Sequence, residues 1–410
     1  MDNCETISTE EIRQHFPALN RRHNDFPVAY FDGPGGTQVP SSVVEAMSDY
    51  LFNHNANTHW NYPTSNETDD IISYSRQAFA DFLNASADEI VFGQNMTSLV
   101  FHLARALGRD FEKGDEVIVT ELDHHANIDT WKSLEKEREV TIRTVPMDVE
   151  SGTLIFEELE NLFNEKTKLL AIGAASNALG TITDVSRACR LAKEANALSF
   201  VDAVHYASHK LVDVKKIDCD FLACSAYKFY GPHIGILFGR GELLQKIDFP
   251  KLRPASDNAP ERAETGTQSH ESIAGAGAAV DFLGSLSAGD TRREKLEKTF
   301  GEIHTRHEGL VKILWQDLSS IPNVKVYGPN AEMPRTSTVS FTVEGIDSKF
   351  VSQKLAEKGI FASNGDFYAL TVVEKLGLAE KGLVRVGCAI YTTREEIERL
   401  IEAVREIAEK

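Results

Sequence analysis

Thiols are scarce in this chain, with five cysteines among 410 residues, and so is positive charge, with 43 basic against 62 acidic side chains. The cysteines (Cys4, Cys189, Cys219, Cys224 and Cys388) are odd in number and scattered. That pattern argues against a disulfide framework and against a zinc site, and fits reduced thiols in a cytoplasmic protein. A formal charge of −19 excludes a general nucleic-acid or anionic-membrane surface, because phosphate binding needs clustered Lys and Arg. A small anion in a local basic pocket stays possible on that balance. No apolar run approaches the eighteen or so residues of a membrane span. The opening "MDNCETISTEEIRQHFPAL" lacks the basic and apolar regions of a signal peptide. Gly/Pro tracts and internal repeats are also missing.

What is present is an ordinary globular composition, 42% hydrophobic and 26% charged, in a chain long enough for two or three domains. Short β-branched runs are expected as strands at 89–92, 116–120, 141–145, 168–172, 198–201, 220–224 and 234–238. Helical patterns fall between most of them, such as 97–107, 156–163 and 186–195. That alternation predicts an α/β fold with a largely parallel sheet. Residues 228–232 are too few for a crossover helix, so the last two strands should run antiparallel and the sheet should be mixed. "ANTHWNYPTSNETDD" reads as an aromatic, polar loop. A charged helix at 291–318 then leads to "VKVYG", "STVSFTVE" and "GLVRVGCAIY", with helices at 348–358 and 394–409, a small α+β unit. The expected partition is a large domain over 29–285 and a small one from 1–28 and 286–410.

Ligands of such sheets sit beyond the carboxyl ends of the strands. Here those ends carry "GQNMTS", "ELDHHAN", "AASNALGT", "DAVH" and "SAYK", which hold most of the polar chemistry. Asp202 follows the buried run "ALSFV" and is either a helix N-cap or a counter-ion to a protonated ring nitrogen. Lys228, in "CSAYKFYGPHIGILFGR", is either a stem laid over apolar surface or an amine kept neutral for Schiff-base chemistry. Together, an aspartate and a lysine on neighbouring strand tips meet the demands of pyridoxal phosphate: one ties down the aldehyde carbon, the other keeps the pyridine nitrogen protonated.

"SAYKFYGPHIGILFGR" resembles the S-x-H-K-x-x-G-P-x-G-x-G-x-L-Y motif of the class V aminotransferase family, fold-type I pyridoxal-phosphate enzymes. The cysteine desulfurase and selenocysteine lyase subgroup is the nearest, and the likeness runs from "YFDGPGG" to "RVGCAIYTTREEIERL". The resemblance implies a large domain with a mixed, mostly parallel seven-stranded sheet, a cofactor Schiff base on Lys228, and Asp202 against the pyridine nitrogen. His124 would stack on the cofactor ring and take part in proton transfer, whereas His125 reads as structural. Asn177 falls where the family bonds the phenolic oxygen or the substrate. His205 stands where many relatives have a glutamine reaching that oxygen. Met96 (through its backbone), Thr97, Ser225 and Tyr227 would hold the phosphate, Tyr227 replacing the usual histidine. Thr267, in "ETGTQS", matches a threonine that reaches the partner subunit's phosphate, which implies a homodimer. Arg385 would fork the substrate carboxylate. Gly35, in a "DGPGGT" loop that lacks the Gly-Lys-Ser/Thr of a P-loop, would bring backbone to the substrate. No metal is implied.

One expected feature is missing. Desulfurases carry a nucleophilic cysteine on a small-domain loop, but in "GIFASNGDFYALTVVEKLGL" Tyr368 takes that place, and Ser363 stands where many have arginine. Cys388 reads as a core residue. The functional expectation is therefore a pyridoxal-phosphate enzyme acting on an amino acid, desulfurase-like, cleaving C–S or C–Se by elimination. The alternatives are an epimerase or aminotransferase of the same family, and, from another class, a non-catalytic cofactor-binding accessory or regulator. A protein acceptor for sulfur is left open.

Overall fold

The computed structural model describes residues 7–409, so Cys4 and the opening residues lie outside the description. Seven strands form the principal sheet: β1 (Ile90–Gly93), β2 (Glu116–Thr120), β3 (Thr141–Val145), β4 (Thr167–Gly173), β5 (Leu198–Asp202), β6 (Phe221–Ser225) and β7 (Gly235–Gly239). Their spatial order is β1-β7-β6-β5-β4-β2-β3. Only β7 runs against the rest, pairing antiparallel with both β6 and β1. This is the mixed sheet that the short 228–232 connection requires. All its strands but the edge strand β3 are buried along most of their length, as befits a parallel sheet covered on both faces.

Helices cover it. α1 (Ser41–Asp49) runs into a π turn at Tyr50–His54, and α2 spans Pro63–Leu83. α2 begins inside the stretch read as an irregular loop: Pro63 occupies the first helical turn, where its missing N–H costs nothing. α3 (Met96–Leu107) opens immediately after β1, with Asn95 as its N-cap accepting from Ser98 N–H at 2.9 Å. α4 (Val185–Glu194) packs on β4 and β5. α5 (His270–Ser285) gave no amphipathic signal because it is buried nearly all round. Its glycines admit close neighbours: a Cβ on Gly275 would lie 2.6 Å from Met47 Cγ.

α6 (Arg292–Ser320), started by a Thr291/Glu294 capping box, leads to a four-stranded antiparallel sheet. That sheet comprises β8 (Val324–Tyr327), β9 (Thr338–Val343), β10 (Ser363–Gly365) and β11 (Leu383–Gly387), in the order β8-β9-β11-β10. α7 (Ser348–Glu357) and α8 (Arg394–Ala408) pack on it around Phe341, Val386 and Leu400. The amino-terminal segment is tied to this second sheet: Ala29–Tyr30 pairs in parallel with Ile360–Phe361, and Asp32 bridges to Gly387. A Cβ on Gly387 would stand 2.4 Å from Pro34 Cγ, so glycine there is what lets the "DGPGG" loop lie against β11. Among the described residues no helix is long and apolar enough to cross a membrane.

Candidate active site

A cavity of about 370 Å³ opens where the strand tips of the principal sheet meet the loop of the "DGPGG" segment and the edge of the second sheet. It is lined by Gly35, Met96, Thr97, His124, Asn177, Asp202, His205, Ser225, Tyr227, Lys228 and Arg385, together with Asp123, Ser363, Phe367 and Tyr368. Every candidate residue but one therefore converges on a single space. Thr267 does not: it is exposed and lines two other hollows, one of which reaches Gln94 and Ser98 beside the start of α3. Its loop is anchored by Glu264, which accepts both guanidinium N–H groups of Arg76 at 2.8 Å and the backbone N–H of Phe92 at 2.8 Å.

Lys228 ends a single 3-10 turn, Ala226–Lys228, directly after β6. Its Nζ donates to the carbonyls of Pro34 at 2.6 Å and Gly35 at 3.0 Å. The glycine loop is in turn docked on this turn, Thr37 N–H donating to Tyr227 O at 3.0 Å. Burial, helped by the nearby Arg385 charge and opposed by Asp202, pushes the Lys228 amine down to about 7. The neutral amine is thus accessible near neutrality, and the reading of a snorkelling surface lysine fails.

Asp202 sits at the end of β5, opposite Gly173 of β4. Burial raises its carboxyl to about 6, although Val204 N–H donates to it at 2.9 Å and Lys228 lowers it. Asp123, at the tip of β2, is a second buried carboxylate that the sequence reading passed over. It accepts from Gly173 N–H at 2.9 Å and from Asn127 Nδ2 at 2.8 Å. Burial and the charge of Asp202 raise it to about 7. A Cβ on Gly173 would lie 2.5 Å from Asp123 Oδ1, so glycine at this strand end makes the room. The neighbours of Asp123 in "ELDHHAN" give no sign of it, since the glycine N–H that it accepts from is brought to it by the fold.

His124 accepts from Ala126 N–H through Nδ1 at 3.0 Å, which places its proton on Nε2. Burial, then the charge of Lys228, lowers its pKa to about 4, so it stays neutral. His125 turns away: its Nδ1 lies 2.8 Å from Asp129 Oδ2 and its Nε2 lies 3.2 Å from Thr371 Oγ1. His205 Nε2 is engaged by the hydroxyls of Thr336 at 3.1 Å and Thr338 at 3.0 Å, leaving Nδ1 as the ring nitrogen for the cavity. The Tyr227 ring stacks on His233 at 4.7 Å and lies beneath the Lys228 ammonium at 4.8 Å.

Arg385 projects from β11, whose register places it beside Ser363 of β10. It is buried, and burial pushes its pKa down, with Asp32 as the opposing charge. Its Nη1 donates to Asn177 O at 3.0 Å, while Nε is buried with no hydrogen-bond partner. The side-chain oxygen of Asn177 is likewise buried and unpartnered. A built Cβ on Gly35 would lie 3.5 Å from Arg385 Nη2. Arg385 Nε and Asn177 Oδ1 are thus an unsatisfied donor and an unsatisfied acceptor on two residues that line one cavity, the kind of pair that the carboxylate and amine of an amino acid would need. The same cavity fits pyridoxal phosphate: an amine held near neutral, a buried carboxylate with no cationic partner but that amine, and the N-terminus of α3 for an anion.

The four described cysteines are all buried, and none lines the cavity. Burial pushes the Cys388 thiol up to about 12, as expected of a core residue. At the place where a loop thiol was sought, Tyr368 is 73% exposed and stacks on His124, with ring centroids 5.5 Å apart.

Comparison with known proteins follows this geometry. Residues 29–400 match the family model described as aminotransferase class-V. A protein of Pectobacterium carotovorum subsp. carotovorum (strain PC1) named cysteine desulfurase is 34% identical, over 97% of each chain. A probable cysteine desulfurase of Halalkalibacterium halodurans is 30% identical over 98% of each. The apo structure of the cysteine desulfurase from Thermococcus onnurineus NA1 superposes with a TM-score of 0.89 at 29% identity, covering 99% of both chains. The chain belongs to the aminotransferase class-V family, whose enzymes depend on pyridoxal phosphate.

Proposed function

We propose that this class-V aminotransferase family member is a pyridoxal-phosphate enzyme that breaks the C–S bond of cysteine, or the C–Se bond of its analogue, by elimination. The observation that carries the reading is the buried, unpaired Nε of Arg385 and the unpaired Asn177 oxygen, in a cavity that also holds the Lys228 amine. A cofactor carrier without turnover has no use for a carboxylate seat. Names borne by relatives supply the substrate class, cysteine.

In this reading Lys228 Nζ would hold the aldehyde carbon and Asp202 would pair with the ring nitrogen, and His124 would be a further contact of the ring. His205 serves the phenolic oxygen. The N–H groups of Met96 and Thr97, with Ser225 and Tyr227, hold the phosphate. Bound pyridoxal phosphate supplies an electron sink that acidifies the Cα–H of an amino acid joined to it. Arg385 grips the carboxylate by its Nε/Nη2 edge, and Asn177 Oδ1 accepts from the amino group. The Lys228 amine, neutral near pH 7, would remove the Cα proton. His124 Nε2–H is the donor to the departing sulfur. With no thiol on the cavity wall, sulfur leaves with the bonding pair as sulfide. The balance is cysteine plus water giving pyruvate, ammonia and hydrogen sulfide.

Thr267 lies outside its own cavity, which supports a homodimer in which it reaches the partner's phosphate. Exposed Phe52 (85%) and Trp60 (60%) offer apolar surface for such a contact. Free buried thiols support a cytoplasmic setting. A large unit around the principal sheet and a smaller one around the second sheet, divided as 29–285 against 1–28 and 286–410, completes the proposal.

The test is spectroscopic. Purified enzyme is expected to carry a yellow, hydride-reducible chromophore that Lys228→Ala lacks. Arg385→Lys should keep the chromophore while weakening amino-acid binding by at least about tenfold. A chromophore that survives Lys228→Ala would remove the foundation.

A further inference from the structure

The loop after β10 carries two successive aromatic residues in the left-handed region, Phe367 (φ +58°) and Tyr368 (φ +57°). For bulky residues this conformation is costly and persists only when the surroundings over-determine it. The surroundings are residues of the active site. Asn177 Nδ2 donates to Phe367 O at 2.9 Å, and His125 N–H donates to Tyr368 O at 2.7 Å. The Phe367 ring lies over the Arg385 guanidinium, 4.1 Å from Cζ to centroid. Thr371, one turn on, meets His125 Nε2 at 3.2 Å.

We propose that Phe367 is the positioning residue of the amino-acid seat, its carbonyl orienting Asn177 and its ring orienting Arg385, with the loop latched in place through His125. This rests on the reading of that seat as an amino-acid site. A guanidinium is planar: an aromatic ring takes its face, whereas a carboxylate takes its edge. Ring and substrate therefore bind Arg385 together, and the ring holds the plane in which the unpaired Nε points. Phe367 O acts likewise on Asn177. Because that carbonyl needs a donor, the Asn177 amide is fixed with Nδ2 toward the loop, which leaves Oδ1 as its unpartnered atom. One loop residue thus sets both groups that face the amino acid. The loop here is a fixed buttress, and the strain in its backbone is what aims the ring and the carbonyl in opposite useful directions.

The experiment uses enzyme loaded with pyridoxal phosphate and follows the cofactor absorbance as an α-methyl amino acid, which cannot lose a Cα proton, is titrated in. Phe367→Leu keeps the apolar bulk and loses the π face. It is expected to weaken binding about tenfold and to raise KM for cysteine similarly, with kcat within about threefold. Phe367→Tyr, which keeps the face, should recover the wild-type constant to within about twofold. In an Arg385→Lys background, Phe367→Leu should add less than about twofold, since the two act through one contact. His125→Ala keeps the backbone bond to Tyr368 O and removes only the Nε2 contact with Thr371, so it should weaken binding in the same direction but by less than Phe367→Leu. Equal binding by wild type and Phe367→Leu, or a Phe367→Leu loss of the same size with Arg385 absent, overturns the proposal while leaving the enzyme reading intact. Failure of the wild type to bind any α-methyl amino acid overturns both.

Discussion

A lysine amine held at about 7 is unusual enough to have measurable consequences before any cofactor is bound. Between about pH 7 and 10.5 the unfolded chain keeps a proton on Lys228 that the folded protein has released. Stability of the cofactor-free protein therefore rises with pH across that window, and the penalty is complete below it. Lys228→Met, similar in length and uncharged, should stabilise the cofactor-free protein at pH 6.5 by on the order of 2 kcal/mol, with the gain shrinking toward pH 10. Denaturant melts at both pH values check it, and a pH-independent difference would contradict the assignment. The carboxyls of Asp123 and Asp202 have the opposite sign, losing stability as pH rises through about 6 to 7; Asp202 also loses the Lys228 charge that lowers it, which offsets part of the gain in Lys228→Met. Lys228 and Asp202 were legible in sequence because a charged residue closing an apolar run needs a partner. Asp123 needs one equally, yet its partners are a glycine N–H and an amide that no spacing rule reveals. The face-on contact between Phe367 and Arg385 was also hidden, since it joins separate strands through a backbone turn that aromatics seldom adopt.

At the scale of elements, the site depends on how closely β7 and the start of α3 approach. A Cβ on Gly235 would stand 2.4 Å from Asn95 C and 2.7 Å from Met96 N. Backbone cannot yield there without moving the helix N-terminus that would hold the phosphate. Gly235→Ala is expected to weaken cofactor retention by at least about tenfold, read by dialysis and loss of the visible chromophore, with overpacking costing about 1–3 kcal/mol. Unchanged retention would show that the α3 N-terminus is not the phosphate seat. All seven strands of the principal sheet were visible from their β-branched runs, to within one residue at each end. What escaped was the helix of small residues, α5, where burial on every side erases the polar contrast, and β10, whose Ser363–Gly365 has no apolar pattern to betray it.

For the whole molecule, the proposed homodimer rests on Thr267 lying outside its own cavity. Light scattering should give a mass near twice 45.4 kDa. Charge placed in the exposed apolar surface, as in Phe52→Glu with Trp60→Glu, should shift the protein toward monomer and lower cofactor affinity at least about fivefold, because each phosphate would lose a partner's hydroxyl. A monomeric protein with full cofactor affinity would contradict that arrangement. The central claim, elimination without a protein thiol, is tested most directly by product stoichiometry. Enzyme and cysteine are incubated with and without a thiol acceptor, and sulfide, pyruvate, ammonia and alanine are counted together. The account predicts sulfide, pyruvate and ammonia in equal amounts and independent of the acceptor. Alanine, with sulfane sulfur passed to the thiol, would contradict it.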